Sequence, residues 1–249
     1  MHATARAKPL VLWATLRSTS TAFEWMMAER GDFDVIHEPF GKSYYLSLER
    51  KSNRYSNMEF QSESNYYASI LSMIQEKNCS KRVFIKDMAF YISHILSDDF
   101  LQGFEHTFLI RHPAKVLPSL FDKWQDFTFE EAGYQSLHEL FQRVKGLSLQ
   151  PPALIDSDDL LRNPSGIVDS YCKRVGIPFM AEALQWQPKS RHDIYWDSDI
   201  WHSQVEQSRA FERQENKNYV SVRDNQYLRK MYDDCLPFYQ KLYEYRLTA

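Results

Sequence analysis

Five short apolar runs punctuate the chain: residues 9–13 (PLVLW), 33–37 (FDVIH), 82–86 (RVFIK), 106–110 (HTFLI) and 153–156 (ALID). Most are rich in β-branched or aromatic residues and apolar on both faces, the pattern of parallel strands covered on each side. The long stretches between them call for helical crossovers, since parallel strands cannot be joined by tight turns. In the first crossover Phe23, Met26 and Met27 make a helical stripe, and Thr21-Ala22-Phe23-Glu24 has the spacing of a capping box. Gly31 stands where a left-handed residue would end that helix. Pro113 suits a first helical turn, and Asn163-Pro164 opens a helix through Val168, Tyr171 and Cys172 toward Gly176. A last helical stretch falls near 226–247. These patterns predict one α/β domain over 1–249, with about five parallel strands flanked by helices and helical insertions. Its core lies at about 9–180, followed by a helical or cap region at about 181–249.

Composition narrows the function classes. The chain has 249 residues, a net charge of −3 and 43% hydrophobic content, values of a soluble globular protein. The slightly acidic balance speaks against a nucleic-acid binder but leaves room for a local basic site. Cys79, Cys172 and Cys235 are far apart and odd in number, so neither a disulfide framework nor a metal cluster is expected. No run reaches the roughly 18 apolar residues of a membrane span, and the first apolar run is too short for a secretory signal. The expectation is a cytoplasmic protein with no metal, no membrane and no nucleic acid as partner.

In open parallel sheets, ligands bind beyond the carboxyl ends of the strands. After the first run come Arg17-Ser18-Thr19-Ser20-Thr21, one cation and four consecutive hydroxyls entering a helix. A helix N-terminus with such donors suits an anion; a Ser/Thr-rich capping turn with a solvated Arg is the other reading. The loop has no Gly and no Gly-Lys-[Ser/Thr], so it is not a Walker A loop. After the fourth run, Arg111-His112-Pro113 with Ser119 two helical turns on is a second anion candidate, or, alone, a surface ion pair. Two such sites at one sheet edge suggest a ligand with two separated phosphate-like groups. His37-Glu38 after the second run offers a general base, or a hydrogen-bonded His beside a solvated Glu. Lys86-Asp87 after the third offers a cation for developing charge, or a simple ion pair.

Taken in order, these segments resemble the sulfotransferases that use 3′-phosphoadenosine 5′-phosphosulfate (PAPS), in a bacterial and plant branch. The resemblance rests on Leu16-Arg17-Ser18-Thr19-Ser20-Thr21, on Arg111 with Ser119 eight residues later, and on three further segments: 37–40 (HEPF), 85–89 (IKDMA) and 156–164 (DSDDLLRNP). It spans about residues 9–212. It implies a P-loop-like sulfotransferase fold, PAPS as donor, the bisphosphate PAP as product, and no metal. It places Arg17, Ser18, Thr19, Ser20 and Thr21 on the 5′-phosphosulfate, and Arg111 and Ser119 on the 3′-phosphate. Ser208 and Arg209, in the stretch 208–211 (SRAF), stand in for a C-terminal donor contact. Glu38 is the first choice of base, with His37 as rival because an imidazole titrates nearer neutrality. Lys86 would stabilise the transferring group, Asp87 would orient Lys86 or touch the acceptor, and His94 and His112 would be structural. Two departures matter: Leu16 stands where the family often has Pro, and Thr19 where it usually has Gly. A Cβ at 19 disfavours positive φ, so a different loop path or looser donor binding is expected.

The implied reaction is in-line sulfuryl transfer to a hydroxyl of a small organic acceptor. Alternatives are sulfation that makes a leaving group for elimination or ring closure, a non-catalytic binding or partner subunit, and an ATP-dependent kinase, which the missing Gly-Lys-[Ser/Thr] disfavours. Tyr44, Tyr45, Tyr55, Phe60, Tyr66, Tyr67, Trp186, Tyr195, Trp196 and Trp201 either wall an acceptor pocket or pack as core. A homodimer or a partner subunit is left open.

Overall fold

The computed structural model describes residues 7–56, 62–188, 195–196, 201–202, 205–212 and 218–249. The apolar runs form five strands: β1 Leu10–Ala14, β2 Asp34–His37, β3 Val83–Met88, β4 Glu105–Ile110 and β5 Leu154–Asp156. All neighbours pair in parallel, in the order β2-β3-β1-β4-β5. Burial on both faces explains the unbroken apolar sequence: every residue of β1 and β3 is buried, including Lys86 and Asp87. The chain leaves β1 toward β2 and β3 on one side and toward β4 and β5 on the other. The end of β1, with Ala14 opposite Met88 and Leu109, is therefore the switch point at which a crevice opens.

The connections are helical: α1 Ser20–Glu29, α2 Pro39–Leu46, α3 Tyr67–Ser80, α4 Asp98–Gln102, α5 Pro113–Phe121, α6 Phe129–Ala132, α7 Tyr134–Gly146, α8 Ser157–Arg162, α9 Pro164–Arg174 and α10 Gln226–Tyr243. In α1 the stripe Phe23, Met26, Met27 is buried, and Phe23 meets Phe84 and Tyr171 in the core. Truncating such a fully buried ring costs about 3–5 kcal/mol. Gly31 ends this turn at φ 73. The start of α1 differs from expectation. The helix begins at Ser20, its N-cap Thr19 makes no side-chain capping bond, and no capping box joins Thr21 to Glu24. Glu24 instead turns inward, fully buried, toward His37.

Other starts follow the sequence. Pro113 opens α5, where the His112 ring accepts the Ala114 N–H at 3.3 Å. Asp156 accepts from Asp158 and Asp159 at the head of α8, and Asn163 accepts from Gly166 ahead of Pro164 in α9. Helix α10 packs on α5 and α7. Among the described residues, no helix is long and apolar enough to cross a membrane.

Candidate active site

The loop between β1 and α1 is bent by two residues in the left-handed region, Arg17 at φ 58 and Thr19 at φ 73. For residues with a Cβ this conformation costs about 1–2 kcal/mol each. Thr19 thus adopts the conformation a glycine would supply, contrary to the expected change of path at that position. Side chains from three places hold the bend. Ser18 Oγ donates to the Thr15 carbonyl, Ser157 Oγ donates to the Ser18 carbonyl, and an Arg111 Nη donates to the Arg17 carbonyl at 3.1 Å. With these carbonyls engaged, the first-turn N–H groups of α1, which no helix carbonyl can accept, and the positive end of its dipole mark an anion cradle.

Two cations converge there. Arg17 Nε donates to Ser119 Oγ at 3.0 Å, and its Nη1 donates to the Trp201 carbonyl at 3.0 Å. Ser119 Oγ also reaches the Tyr219 hydroxyl at 3.4 Å. Burial first, then the nearby Arg111, lowers the Arg17 pKa, against the opposing pull of Tyr219. Arg111 Nε is buried without a hydrogen-bond partner among the described residues. A buried guanidinium donor without an acceptor is costly, so the site is set for an anion. Lys115, Arg162 and Arg223 line the same cleft, whose volume is about 1190 Å³.

The cleft gathers Arg17, Ser18, Thr19, Ser20, Thr21, Arg111, Ser119 and Ser208 from the sequence reading. Arg209 does not join them. Ala210 pairs with Gln185 in an isolated antiparallel bridge just after the turn Val205–Gln207. Ser208 and Ala210 line the cleft, whereas Arg209 is not among its lining residues and donates to Gln187 at 3.2 Å.

At the ends of β2 and β3 lies a buried acid–base cluster. His37 stands opposite Lys86 in the sheet register, and the Glu38 N–H continues that ladder to the Lys86 carbonyl at 2.9 Å. Glu38 sits at φ 39, ψ 52, a third left-handed residue, and its side chain makes an ion pair with Lys86 Nζ. The Tyr91 hydroxyl lies 3.5 Å from the other Glu38 oxygen. Burial, then Tyr45 and Glu38, pushes the Tyr91 pKa well up and keeps its proton on. Glu38, Lys86 and Tyr91 line the cleft; His37 does not. The His37 ring lies behind Glu38, with Nδ1 at 2.9 and 3.2 Å from the two Glu24 oxygens and Nε2 at 3.8 Å from Glu38 Oε1. Burial raises the Glu24 pKa, but His37, followed by Lys86 and His202, outweighs it and leaves it lowered.

Asp87 plays a different part. It accepts the N–H groups of Phe40 and Met88 at 2.8 and 2.9 Å and so pins the start of α2 to β3. Burial and the nearby Glu38 raise its pKa well above the ordinary carboxylate value. His94 packs edge-on to Tyr67, away from the cleft lining.

The aromatic residues divide between the two roles. Tyr55, Trp196 and Trp201 line the cleft, joined by Trp124, whereas Tyr44, Tyr45, Tyr67 and Trp186 are buried in the core. Phe60 lies outside the described residues. Trp124 and Trp201 meet edge to face at 4.7 Å, and Trp196 Nε1 donates to the Glu38 carbonyl at 3.1 Å. A Cβ on Gly41 would come within 2.5 Å of the Trp196 ring, so the glycine is what lets this indole settle beside Glu38. Sequence reasoning missed Glu24, Tyr91, Trp124 and Tyr219 as members of the site. Glu24 carried a signal, but the capping-box spacing sent it to the wrong role.

Comparison with known proteins identifies the arrangement. Residues 8–245 match the family described as a sulfotransferase domain. The Arabidopsis thaliana branched-chain-amino-acid aminotransferase-like protein 2 is 29% identical over 204 residues, covering 80% of this chain and 35% of that protein. The chain thus spans about a third of the length of that protein and of the related Arabidopsis thaliana branched-chain-amino-acid aminotransferase-like protein 1. Sulfotransferase ppzF of Metarhizium rileyi is 27% identical over 113 residues, 37% of this chain and 33% of that protein. Among solved structures, the sulfotransferase domain from the Synechococcus PCC 7002 olefin synthase shares the fold, with a TM-score of 0.51 at 14% identity, over 98% of this chain and 97% of that one.

Proposed function

The chain belongs to the sulfotransferase-domain family, and from that premise we propose that it transfers a sulfuryl group from PAPS to a hydroxyl of a small organic acceptor. One observation carries the reading: the anion cradle of α1, the Arg111–Ser119 pair and the buried Glu38–Lys86 pair all open into a single cleft.

The residues present fit the donor. The unpartnered Arg111 Nε calls for an anionic acceptor, and the cleft volume accommodates a nucleotide with a second small molecule. Arg17, Ser18, Ser20, Thr21 and the first-turn N–H groups of α1 would hold the 5′ end, with Arg111 and Ser119 on the 3′-phosphate. The donor, when bound, supplies the sulfuryl group and departs as PAP. Glu38 is the base: it reaches the cleft, whereas His37 is shielded behind it. When Glu38 takes the acceptor proton, its carboxylate is neutralised and its hold on Lys86 weakens. The Lys86 ammonium is then available for negative charge developing nearby, in a site shielded from water. Tyr55, Trp124, Trp196 and Trp201 wall the acceptor side, which fits a molecule with a flat or apolar body.

The test is ligand-dependent stability. PAP at about 100 times its Kd adds about 2.7 kcal/mol, which for a chain of this length is a rise of about 5 °C in Tm. AMP and ATP–Mg²⁺ are expected to give much smaller shifts, and Arg111→Ala to lose most of the PAP effect. A preference for ATP–Mg²⁺, or no response to PAP, overturns the proposal.

A further inference from the structure

Behind the proposed base lies a pair of residues that reaches neither donor nor acceptor. Glu24 is fully buried in α1, and the His37 side chain is fully buried at the end of β2. A buried ion pair is weak evidence for stability, since apolar residues of similar volume often do as well or better. Its position, one layer behind Glu38, is therefore the informative feature.

We infer that Glu24 and His37 form a proton-holding dyad: Glu24 keeps a proton on His37 Nδ1, and His37 Nε2 receives, through Glu38, the proton taken from the acceptor hydroxyl. The inference rests on the sulfuryl-transfer reading above. A carboxylate only accepts hydrogen bonds, so contacts of 2.9 and 3.2 Å from its oxygens to Nδ1 require the hydrogen to be on that nitrogen. Nε2 is left as the titrating atom, and it faces Glu38 Oε1 at 3.8 Å. Glu38 is held in place by Lys86, and closure of less than about 1 Å brings its oxygen within hydrogen-bond reach of Nε2.

The step balances. The acceptor O–H bond breaks and its electron pair stays on the acceptor oxygen that attacks sulfur. A Glu38 O–H bond forms, then breaks as the His37 Nε2–H bond forms. The resulting imidazolium lies between two carboxylates, which favour it in a desolvated site. Glu38 returns to its anionic form and its pairing with Lys86. Among the described residues, the groups facing the ring are Glu24 from α1, Glu38 and Lys86 from the ends of β2 and β3, and the rings of Tyr195 and His202 at 4.6 and 5.0 Å. Lys86 and any charge on His202 work against protonation of Nε2; the two carboxylates work for it. Glu24 is thus a positioning residue, acting through His37 and Glu38.

The experiment is a ¹⁵N-histidine NMR titration of the full chain with PAP, with His37→Asn assigning the signal. In the wild type, Nδ1 is expected to stay protonated throughout while Nε2 titrates. In Glu24→Gln the His37 midpoint is expected to fall by about one pH unit or more, a tenfold loss of proton affinity. Glu38→Gln is expected to lower it too, because that carboxylate faces Nε2. Glu24→Asp keeps the charge and is expected to restore most of the midpoint. A wild-type ring whose Nδ1 titrates overturns the inference even if no variant folds, as does a midpoint unchanged by Glu24→Gln. The Kd for PAP in Glu24→Gln is expected to stay within about threefold of wild type. Loss of PAP binding in the wild type itself, with the His37 signature intact, would instead count against the donor assignment.

Discussion

Replacing Thr19 by Gly should stabilise the protein, even though the change removes a side chain from a helix N-cap. Thr19 sits at φ 73, ψ 6 and makes no side-chain capping bond, so the substitution forfeits little. The left-handed conformation costs a residue with a Cβ about 1–2 kcal/mol. Glycine removes that strain but brings about 0.5–1 kcal/mol of extra unfolded-state entropy. The balance is a gain of about 0.5–1 kcal/mol. With an unfolding entropy of about 2.1 cal/mol/K per residue, a chain this long shifts by about 2 °C per kcal/mol, so Tm should rise by about 1–2 °C. Thr19→Ala keeps the Cβ and should show no comparable gain. Paired thermal melts and urea titrations of the three proteins, with and without PAP, make the comparison. PAP affinity should hold or tighten, because the backbone path is already the one a glycine would take. A fall in Tm of more than about 1 °C for Thr19→Gly, or an equal rise for Thr19→Ala, would refute the strain argument. A tenfold loss of PAP affinity would show that the hydroxyl, not the backbone, serves the anion.

Two further outcomes follow from buried charge. Glu38→Gln should cut donor turnover across a panel of phenols and alcohols by about 10²–10⁴ while leaving PAP binding in place. It should also cost about 3 kcal/mol of stability by stranding the Lys86 ammonium; unchanged turnover would remove Glu38 from the role of base. His106 accepts from Trp13 Nε1 through Nδ1 at 2.8 Å and donates through Nε2 to the Leu101 carbonyl, so it is held neutral. Burial pushes its pKa down from 6.5 to about 4. Below pH 6.5 the unfolded chain therefore binds the extra proton, and stability that is complete above 6.5 is lost progressively down to about pH 4. The loss is about 3 kcal/mol. Denaturant titrations from pH 7 to 4 should show this limb in the wild type and a flatter one in His106→Gln; equal slopes would sink the assignment.

Much of this architecture was legible along the chain because it is written in local terms. Apolar runs without alternation mean strands buried on both faces, and the long gaps between them mean helical crossovers. Pro113, Asn163-Pro164 and Gly31 mark helix ends through backbone constraints that act within a few residues. The residues proposed to hold an anion are named from their places at strand ends and helix starts, where main-chain dipoles and N–H groups favour negative charge.

What only the tertiary structure decided was which groups meet and which are shielded. Glu24 has the spacing of a helix cap, yet the sheet brings His37 against α1, and the pairing of two buried polar side chains prevails over a solvated cap. In sequence Glu38 is the first choice of base and its neighbour His37 the rival; in the fold, Glu38 sits in a left-handed turn and lines the cleft, whereas His37 does not. Arg209 looks like a donor contact along the chain, yet its guanidinium pairs with Gln187 and is not among the residues lining the cleft. Trp124 and Tyr219 join the site across more than a hundred residues of chain from Arg17. Such neighbours are selected by the packing of the whole domain, because burial and pairing energies depend on every wall of the cleft at once.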